Sequence, residues 1–250
     1  MLAARVTSYV IEKLAGDRLS PFRDREEAGK EVARALAEFR GKNVLVLGMP
    51  RGGVVVAKEV SEALGAPLDI VVTRKIGAPG EPEFALGAVT QEGDVIVDSR
   101  AVESVGATSE YLREEARKKK SEVLERMRSL RGDMSYPSLE GRTIIIVDDG
   151  MATGNSMKAA VQSVRKRGPK EVIVAVPVAP REAVAELSRD GTRVVCLERP
   201  HFFFAIGEFY KDFEQVEDSE VRQLLEDVWK RRGPNSATQV VPKETEEKIP

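Results

Sequence analysis

Residues 144–156, with the sequence I-I-I-V-D-D-G-M-A-T-G-N-S, constrain the fold of this chain more than any other stretch. The β-branched run at its start predicts a fully buried strand, as in parallel sheets covered on both faces. The strand ends at two adjacent carboxylates, Asp148 and Asp149 (the acid pair), and a turn with two glycines leads into a predicted helix. Such a turn presents backbone N–H groups and a favourable dipole to a phosphate, while carboxylates can bind ribose hydroxyls or Mg²⁺. The stretch therefore predicts a sugar-phosphate site.

The same spacing resembles the phosphoribosyl pyrophosphate motif of type I phosphoribosyltransferases. It combines four apolar residues, the acid pair, three variable residues and then Thr-Gly-x-Ser. The chain departs from the family at Ala152, where many members have Thr, and at Ser156, where Thr is common. Other interpretations fit less well. In phosphoacceptor receiver domains the acid pair closes the first strand, whereas here it lies past the middle of the chain. A P-loop needs a Gly-Lys-Ser/Thr sequence, and no lysine follows Gly154 until Lys158. The remaining alternative is a solvated strand-to-helix turn.

The resemblance implies a role for each residue of this stretch. The acid pair would contact the ribose 2′- and 3′-hydroxyls, directly or through Mg²⁺. The turn over residues 151–156 (the phosphate turn) would hold the 5′-phosphate through the backbone N–H groups of Met151 to Asn155 and the Thr153 and Ser156 hydroxyls. The residues given these binding roles are Asp148, Asp149, Met151, Ala152, Thr153, Gly154, Asn155 and Ser156.

A second candidate loop is Gly48-Met49-Pro50-Arg51-Gly52-Gly53, at the end of another predicted buried strand. In open α/β sheets, ligands bind at the carboxyl ends of the strands. Gly52 and Gly53 allow close approach of the backbone to a ligand, and the Arg51 guanidinium suits phosphate oxygens. By resemblance to the family, this loop binds the pyrophosphate. The alternative is a tight turn that serves packing alone.

A third candidate is the adjacent pair Arg74 and Lys75, which the sequence places at the end of a strand over residues 68–73. Two glycines and two prolines within residues 74–83 predict a mobile loop after the pair. The family uses a basic pair here on the pyrophosphate and closes a loop over the reaction, so Arg74 and Lys75 are the predicted catalytic residues. An ordinary surface pair is the alternative.

Composition bounds the remaining possibilities. With 250 residues, 42% of them hydrophobic, the chain can form one α/β domain of ordinary size. The net charge of −2 does not suggest that the protein binds nucleic acid or an anionic membrane. Neither a membrane span nor a signal peptide is evident, so we expect a cytoplasmic protein. The 32% of charged residues resembles proteins adapted to high temperature. The single cysteine, Cys196, is expected to be buried and inert.

Strands alternate with helices along most of the chain, which predicts an α/β fold with a parallel sheet and helices on both faces. A short helix is predicted within residues 1–15, a longer one from Asp24, and a hairpin over residues 84–90 and 94–97. Residues 1–232 are expected to form a single domain with a core of about 24–197. Residues 233–250 are expected to be a disordered tail.

The resemblance also implies a small hood, built from the N-terminal segment and about residues 198–215. This second segment (the hood segment) has the densest aromatic cluster of the chain. Aromatic rings stack well on nucleobases, so Phe202 and Phe203 are candidates for a base pocket, although most of these rings are expected in the core.

The function that the resemblance implies is transfer of the phosphoribosyl group from phosphoribosyl pyrophosphate to a nitrogenous base, with Mg²⁺ as cofactor and release of pyrophosphate. The alternative is a regulator that binds a nucleotide or phosphoribosyl pyrophosphate without turnover. Because family members are commonly dimers, a homodimer is expected.

Overall fold

The computed structural model describes residues 21–90, 93–132 and 136–232. The predicted N-terminal helix and the predicted tail lie outside these ranges. Within them, the strands in chain order are β1 Val44–Gly48, β2 Leu68–Ile70, β3 Thr73–Ala78, β4 Glu81–Thr90, β5 Val95–Val97, β6 Thr143–Val147, β7 Glu171–Val178 and β8 Arg193–Glu198. The helices are α1 Arg25–Ala35, α2 Gly52–Leu64, α3 Ser99–Val105, α4 Ser109–Arg131, α5 Asn155–Arg165, α6 Arg181–Arg189 and α7 Asp218–Arg232. Short 3₁₀ turns cover Ala37–Phe39 and Ile206–Phe209.

The main sheet in the described part of the chain is parallel, with the strand order β2-β1-β6-β7-β8. Alternate residues of β1 serve two cores, because successive side chains of a strand point to opposite faces. Val44 and Val46 pack in a core shared with α1, α2 and α7. Leu45 and Leu47 pack in a second core shared with α5 and α6. The predicted parallel sheet with helices on both faces is therefore confirmed.

The segment after β2 differs from the prediction. The strand expected over residues 68–73 ends at Ile70, and the loop expected over residues 74–83 is an antiparallel hairpin of β3 and β4. β4 also pairs with β5, which confirms the hairpin predicted over residues 84–90 and 94–97. The three strands form a smaller sheet.

The two glycines of residues 74–83 have structural roles within this hairpin. Gly80, at a φ of +77°, lies in the turn, and the register shifts around Gly77. A Cβ at Gly77 would lie 2.5 Å from the Pro82 carbonyl oxygen, so only glycine admits the facing strand. The Tyr111 hydroxyl donates to the Gly77 carbonyl at 2.9 Å, which ties the hairpin to α4. Residues typical of loops therefore form a bulge and a turn in a sheet.

A buried ion pair fixes the end of α4 against β2. Arg131 donates from Nε to Asp69 Oδ1 at 2.7 Å and from Nη2 to Oδ2 at 2.8 Å. Both side chains are almost fully buried. The Trp229 indole N–H donates to the Leu68 carbonyl at 2.9 Å, so α7 closes over the same strand.

None of the helices in the described ranges combines the length and the apolar character that a membrane crossing requires.

Candidate functional site

The strand order reverses direction between β1 and β6. Because the chain moves outward from β1 to β2 and then returns to β6, the connections after β1 and β6 leave the sheet on opposite sides and open a crevice. Ligands of open α/β sheets bind at such a switch point, outside the carboxyl ends of the strands. The loop with Arg51 follows β1, and the acid pair follows β6. The structure therefore brings these two predicted binding segments to one crevice.

Gly52 and Gly53 lie directly against the acid pair. A Cβ at Gly52 would overlap Asp149 Oδ2, and a Cβ at Gly53 would lie 2.5 Å from Asp148 Oδ1. The two glycines also form the first residues of α2, where the helix dipole stabilises negative charge. The acid pair is therefore seated on the first turn of α2, and each carboxylate fills the space left by one missing side chain.

The electrostatics of the acid pair are unfavourable for two full charges. Asp148 Oδ1 accepts a hydrogen bond from the Asp149 backbone N–H at 2.9 Å. Loss of solvation, together with the neighbouring Asp149 charge, raises the pKa of the Asp148 carboxyl well above its usual value. A cation or a hydroxyl donor at this site would relieve both effects.

One cation already contacts the pair. Arg25, in the first turn of α1, donates from Nε to Asp149 Oδ2 at 2.7 Å. The hydroxyl of Tyr210, from the hood segment, donates to the main-chain carbonyl of Asp149 at 2.5 Å. Neither Arg25 nor Tyr210 was predicted from the sequence to have a role in the site. Since 124 and 61 positions separate them from Asp149, no local pattern connects them.

The phosphate turn leaves the first turn of α5 without a side-chain cap. Gly154 is the N-cap residue, at a φ of +80°, and it makes no side-chain capping bond. Thr153 and Ser156 are exposed beside it. Met151 differs from its neighbours, because it is buried and its N–H donates to the Val178 carbonyl at 2.9 Å. The backbone donors that can face a phosphate therefore begin after Met151, one residue later than predicted.

The positions of this turn that follow Met151 are consistent with the predicted role. Ala152, Thr153, Asn155 and Ser156 are all exposed at the N-terminus of α5, and Gly154 between them is half-buried. A helix N-terminus of this kind binds anions through its free N–H groups and its dipole.

Arg51 follows a cis peptide bond from Pro50 and pairs with carboxylates at the start of α7. Its Nη1 lies 3.7 Å from Glu217 Oε2 and 3.9 Å from Asp218 Oδ1. Asp218 also contacts Arg126 of α4. A pyrophosphate that binds Arg51 would therefore have to displace these carboxylates from its guanidinium.

Arg74 and Lys75 lie in β3 of the smaller sheet, beyond the end of β2, and so do not terminate a strand of the main sheet as expected. Arg74 is half-exposed, and its Nε lies 3.8 Å from Glu122 Oε2 on α4. The Thr73 hydroxyl donates to the Ser156 carbonyl at 3.5 Å, which links the start of this hairpin to the phosphate turn.

The two candidate base-pocket residues have different surroundings. Phe202 is 81% exposed. Phe203 stacks on Phe209, with ring centroids 5.7 Å apart. Phe22 and Tyr210 form a parallel bridge and a ring contact, which joins the residues just before α1 to the hood segment.

The carboxylate oxygens of the acid pair fit a Mg²⁺ ion that is also bound by the substrate. Among the described residues, no group of three or more His, Cys, Asp or Glu side chains could hold a metal ion. Mg²⁺ takes oxygen ligands and is usually bound by one or two carboxylates together with substrate phosphates. Asp148 and Asp149 can supply that share, so the residues fit an ion that arrives with a phosphorylated ligand.

Comparison with known proteins identifies the class to which this fold and crevice belong. A family model described as the phosphoribosyl transferase domain matches residues 22–212, a range that contains the acid pair, the phosphate turn and the loop with Arg51. The chain belongs to this family, which confirms the resemblance seen in residues 144–156.

Two relatives, both named "Putative phosphoribosyl transferase", come from Mycobacterium tuberculosis strains H37Rv and CDC 1551 / Oshkosh. Each is 42% identical over 205 residues, which is 82% of this chain and 46% of the relative. The chain thus spans about half the length of these curated relatives. The crystal structure of TT1426 from Thermus thermophilus is 44% identical, with a TM-score of 0.72 over 82% of this chain and 98% of that one.

Proposed function

We propose that this protein transfers the phosphoribosyl group of phosphoribosyl pyrophosphate to a nitrogenous base. The proposal rests on one observation: the acid pair and the loop with Arg51 lie together at the switch point between β1 and β6. The phosphate turn follows the acid pair directly in the chain. A sugar with a phosphate at one end and a pyrophosphate at the other needs these three elements together: anion sites for each end and carboxylates for the diol between them.

In the reaction, the bond from C1′ to the pyrophosphate oxygen breaks and a bond from C1′ to a base nitrogen forms. The electron pair of the broken bond leaves with the pyrophosphate, and the base nitrogen loses its proton. The transition state has oxocarbenium character, so negative charge grows on the leaving group. Catalysis then consists of positioning and of stabilising that charge.

The residues of this chain divide these tasks. The Thr153 and Ser156 hydroxyls and the free N–H groups of the phosphate turn hold the 5′-phosphate. The acid pair orients the ribose through its hydroxyls. Arg51, Arg74 and Lys75 stabilise the leaving pyrophosphate. Bound Mg²⁺ would neutralise pyrophosphate charge.

Arg74 requires a rearrangement for this role, because its guanidinium faces Glu122. This half-exposed pair is worth little, of the order of 1 kcal/mol or less. An incoming pyrophosphate can therefore displace it.

The test is to incubate the protein with phosphoribosyl pyrophosphate, Mg²⁺ and a panel of bases, and to measure pyrophosphate release. The double variant Asp148→Asn, Asp149→Asn should lose binding of phosphoribosyl pyrophosphate in calorimetry while remaining folded. Asp190→Asn, at an exposed position at the end of α6, is the matched control.

A second pair of variants separates an enzyme from a regulator. Arg74→Ala and Lys75→Ala should lower kcat by about 100-fold or more while a nucleoside monophosphate binds nearly as before, because the charge they meet grows in the transition state. Tight binding by the wild type without turnover against a broad panel would favour the regulator. No binding of phosphoribosyl pyrophosphate would contradict both functions.

A further inference from the structure

We propose that Arg25 is a positioning residue for the acid pair, and that it transmits the position of the hood segment to the ribose site. The inference rests on the proposed function, in which the acid pair binds the ribose hydroxyls. It adds a residue and a structural connection to that site.

Arg25 is held firmly in place. Its side chain is 12% exposed. Besides the bond from Nε to Asp149, Nη1 donates to the Glu214 carbonyl at 2.8 Å. The Cζ atom lies 3.8 Å from the centroid of the Phe213 ring. A planar guanidinium that is bonded at two edges and stacked on one face has little freedom to rotate.

Arg25 in turn restrains Asp149. The carboxylate is 13% exposed and lies next to a second carboxylate. The Gly52 backbone also lies against this contact, where an added Cβ would lie 2.6 Å from Arg25 Nε. The charged hydrogen bond from Arg25 therefore fixes one oxygen of Asp149 and offsets part of its charge. The remaining carboxylate oxygens of the pair are those that we propose bind the ribose hydroxyls.

The other contacts of this cluster come from the hood segment. Tyr210, Phe213 and Glu214 all belong to it, and all three touch either Arg25 or Asp149. Tyr210 also packs on Phe213, with ring centroids 4.9 Å apart. A shift of the hood segment therefore moves Arg25, and with it the carboxylate that orients the ribose.

The experiment compares ribose 5-phosphate with 2-deoxyribose 5-phosphate, each titrated with Mg²⁺ into the full chain by calorimetry. Only the first sugar carries the 2′-hydroxyl that the acid pair is proposed to bind, so the ratio of the two affinities reports on the acid pair and not on general folding. Arg25→Met should reduce this ratio by about tenfold, the scale of one hydrogen bond to a charged group. Binding of the deoxy sugar should weaken less, because that sugar keeps only the 3′-hydroxyl contact to the acid pair.

Two further variants make the result specific. Arg25→Lys keeps a cation beside Asp149 and should restore most of the ratio. Arg34→Met removes an exposed arginine from the same helix and should match the wild type in both affinities. Equal weakening of both sugars in Arg25→Met, or no rescue by lysine, would show that Arg25 only supports the fold.

A crystal structure of the Arg25→Lys variant and one of Arg25→Met test the inference without any ligand. Displacement of the Asp149 carboxylate in the methionine variant, but not in the lysine variant, is expected, and an unmoved carboxylate in both would overturn the proposal. If the wild type does not bind phosphoribosyl pyrophosphate, the proposed function fails, while these structures still decide the role of Arg25.

Discussion

Gly53→Ala should damage the site more than it damages the fold. The added Cβ would lie 2.5 Å from Asp148 Oδ1, 2.8 Å from Asp148 Cα and 3.0 Å from the Val147 carbonyl oxygen. Two of these atoms are backbone and cannot rotate away, so the end of β6 must move by about 1 Å to reach ordinary contact distances. Overpacking of this kind costs about 1–3 kcal/mol, and the better helix propensity of alanine returns up to about 1 kcal/mol.

The net loss of about 1–2 kcal/mol should lower Tm by about 2–8 °C for a chain of this size. A displacement of about 1 Å in groups that position a substrate can cost about 100-fold in rate. We therefore expect a modest change in Tm in thermal unfolding, together with a loss of about 100-fold in kcat/KM for phosphoribosyl pyrophosphate.

Gly65→Ala is the matched control for this variant. Gly65 ends the same helix at a φ of +66°, with nothing within 4 Å of its added Cβ. The backbone strain should cost about 1–2 kcal/mol without touching the acid pair. If Gly65→Ala lowers kcat/KM as much as Gly53→Ala does, or if Gly53→Ala retains full kcat/KM, then the proposed fit between the glycines and the acid pair is wrong.

Three further outcomes are expected. Burial raises the pKa of the Cys196 thiol to about 12, so a disulfide reagent at a pH of about 8 should label it only as fast as the protein unfolds, and rapid labelling of the folded protein would contradict this. Arg131→Met should lower the free energy of unfolding in urea by about 3–5 kcal/mol, because it leaves Asp69 buried without its partner. Replacing both partners, as Asp69→Leu with Arg131→Met, should recover much of that loss. Glu217→Gln frees Arg51 from one competitor and should tighten pyrophosphate binding in calorimetry by up to about fivefold, whereas weaker binding would argue against this displacement.

The parts of the fold that depend on local sequence patterns could be predicted from the sequence. The β-branched run of β6, the acid pair and the glycine-rich turn are close neighbours in the chain, and the structure shows a buried strand, a turn and a helix there. The alternation of strands and helices likewise predicted the fold class. Such patterns reflect burial on one or both faces of an element, which a single sequence records directly.

The hairpin of β3 and β4 was missed because glycine and proline have several structural uses. In residues 74–83 they predict a mobile loop, yet Gly77 and Gly80 serve a bulge and a turn. Which use applies depends on the strand that packs opposite, and that strand is only identified in the folded chain.

Contacts between residues far apart in the chain could not be predicted from the sequence either. Gly52 and Gly53 were predicted to face a ligand, whereas their closest neighbours in the structure are Asp148 and Asp149. The partners of Arg51 on α7 and the contact of Arg25 with Asp149 arise in the same way, from elements far apart in the chain. Each segment is recognisable alone, but which segments meet depends on topology.

The position of β1 has a consequence for how the protein is made. On a ribosome, β1, α2 and β2 emerge well before β6, but β6 is the second neighbour of β1, and its Thr143 pairs with Val44. Until β6 is synthesised, one edge of an apolar strand has no hydrogen-bonding partner, and such edges recruit strands from other chains. Pairing over so long a separation also slows folding. We therefore expect the yield of soluble protein to depend on synthesis rate and temperature, and fragments that end before β6 to aggregate.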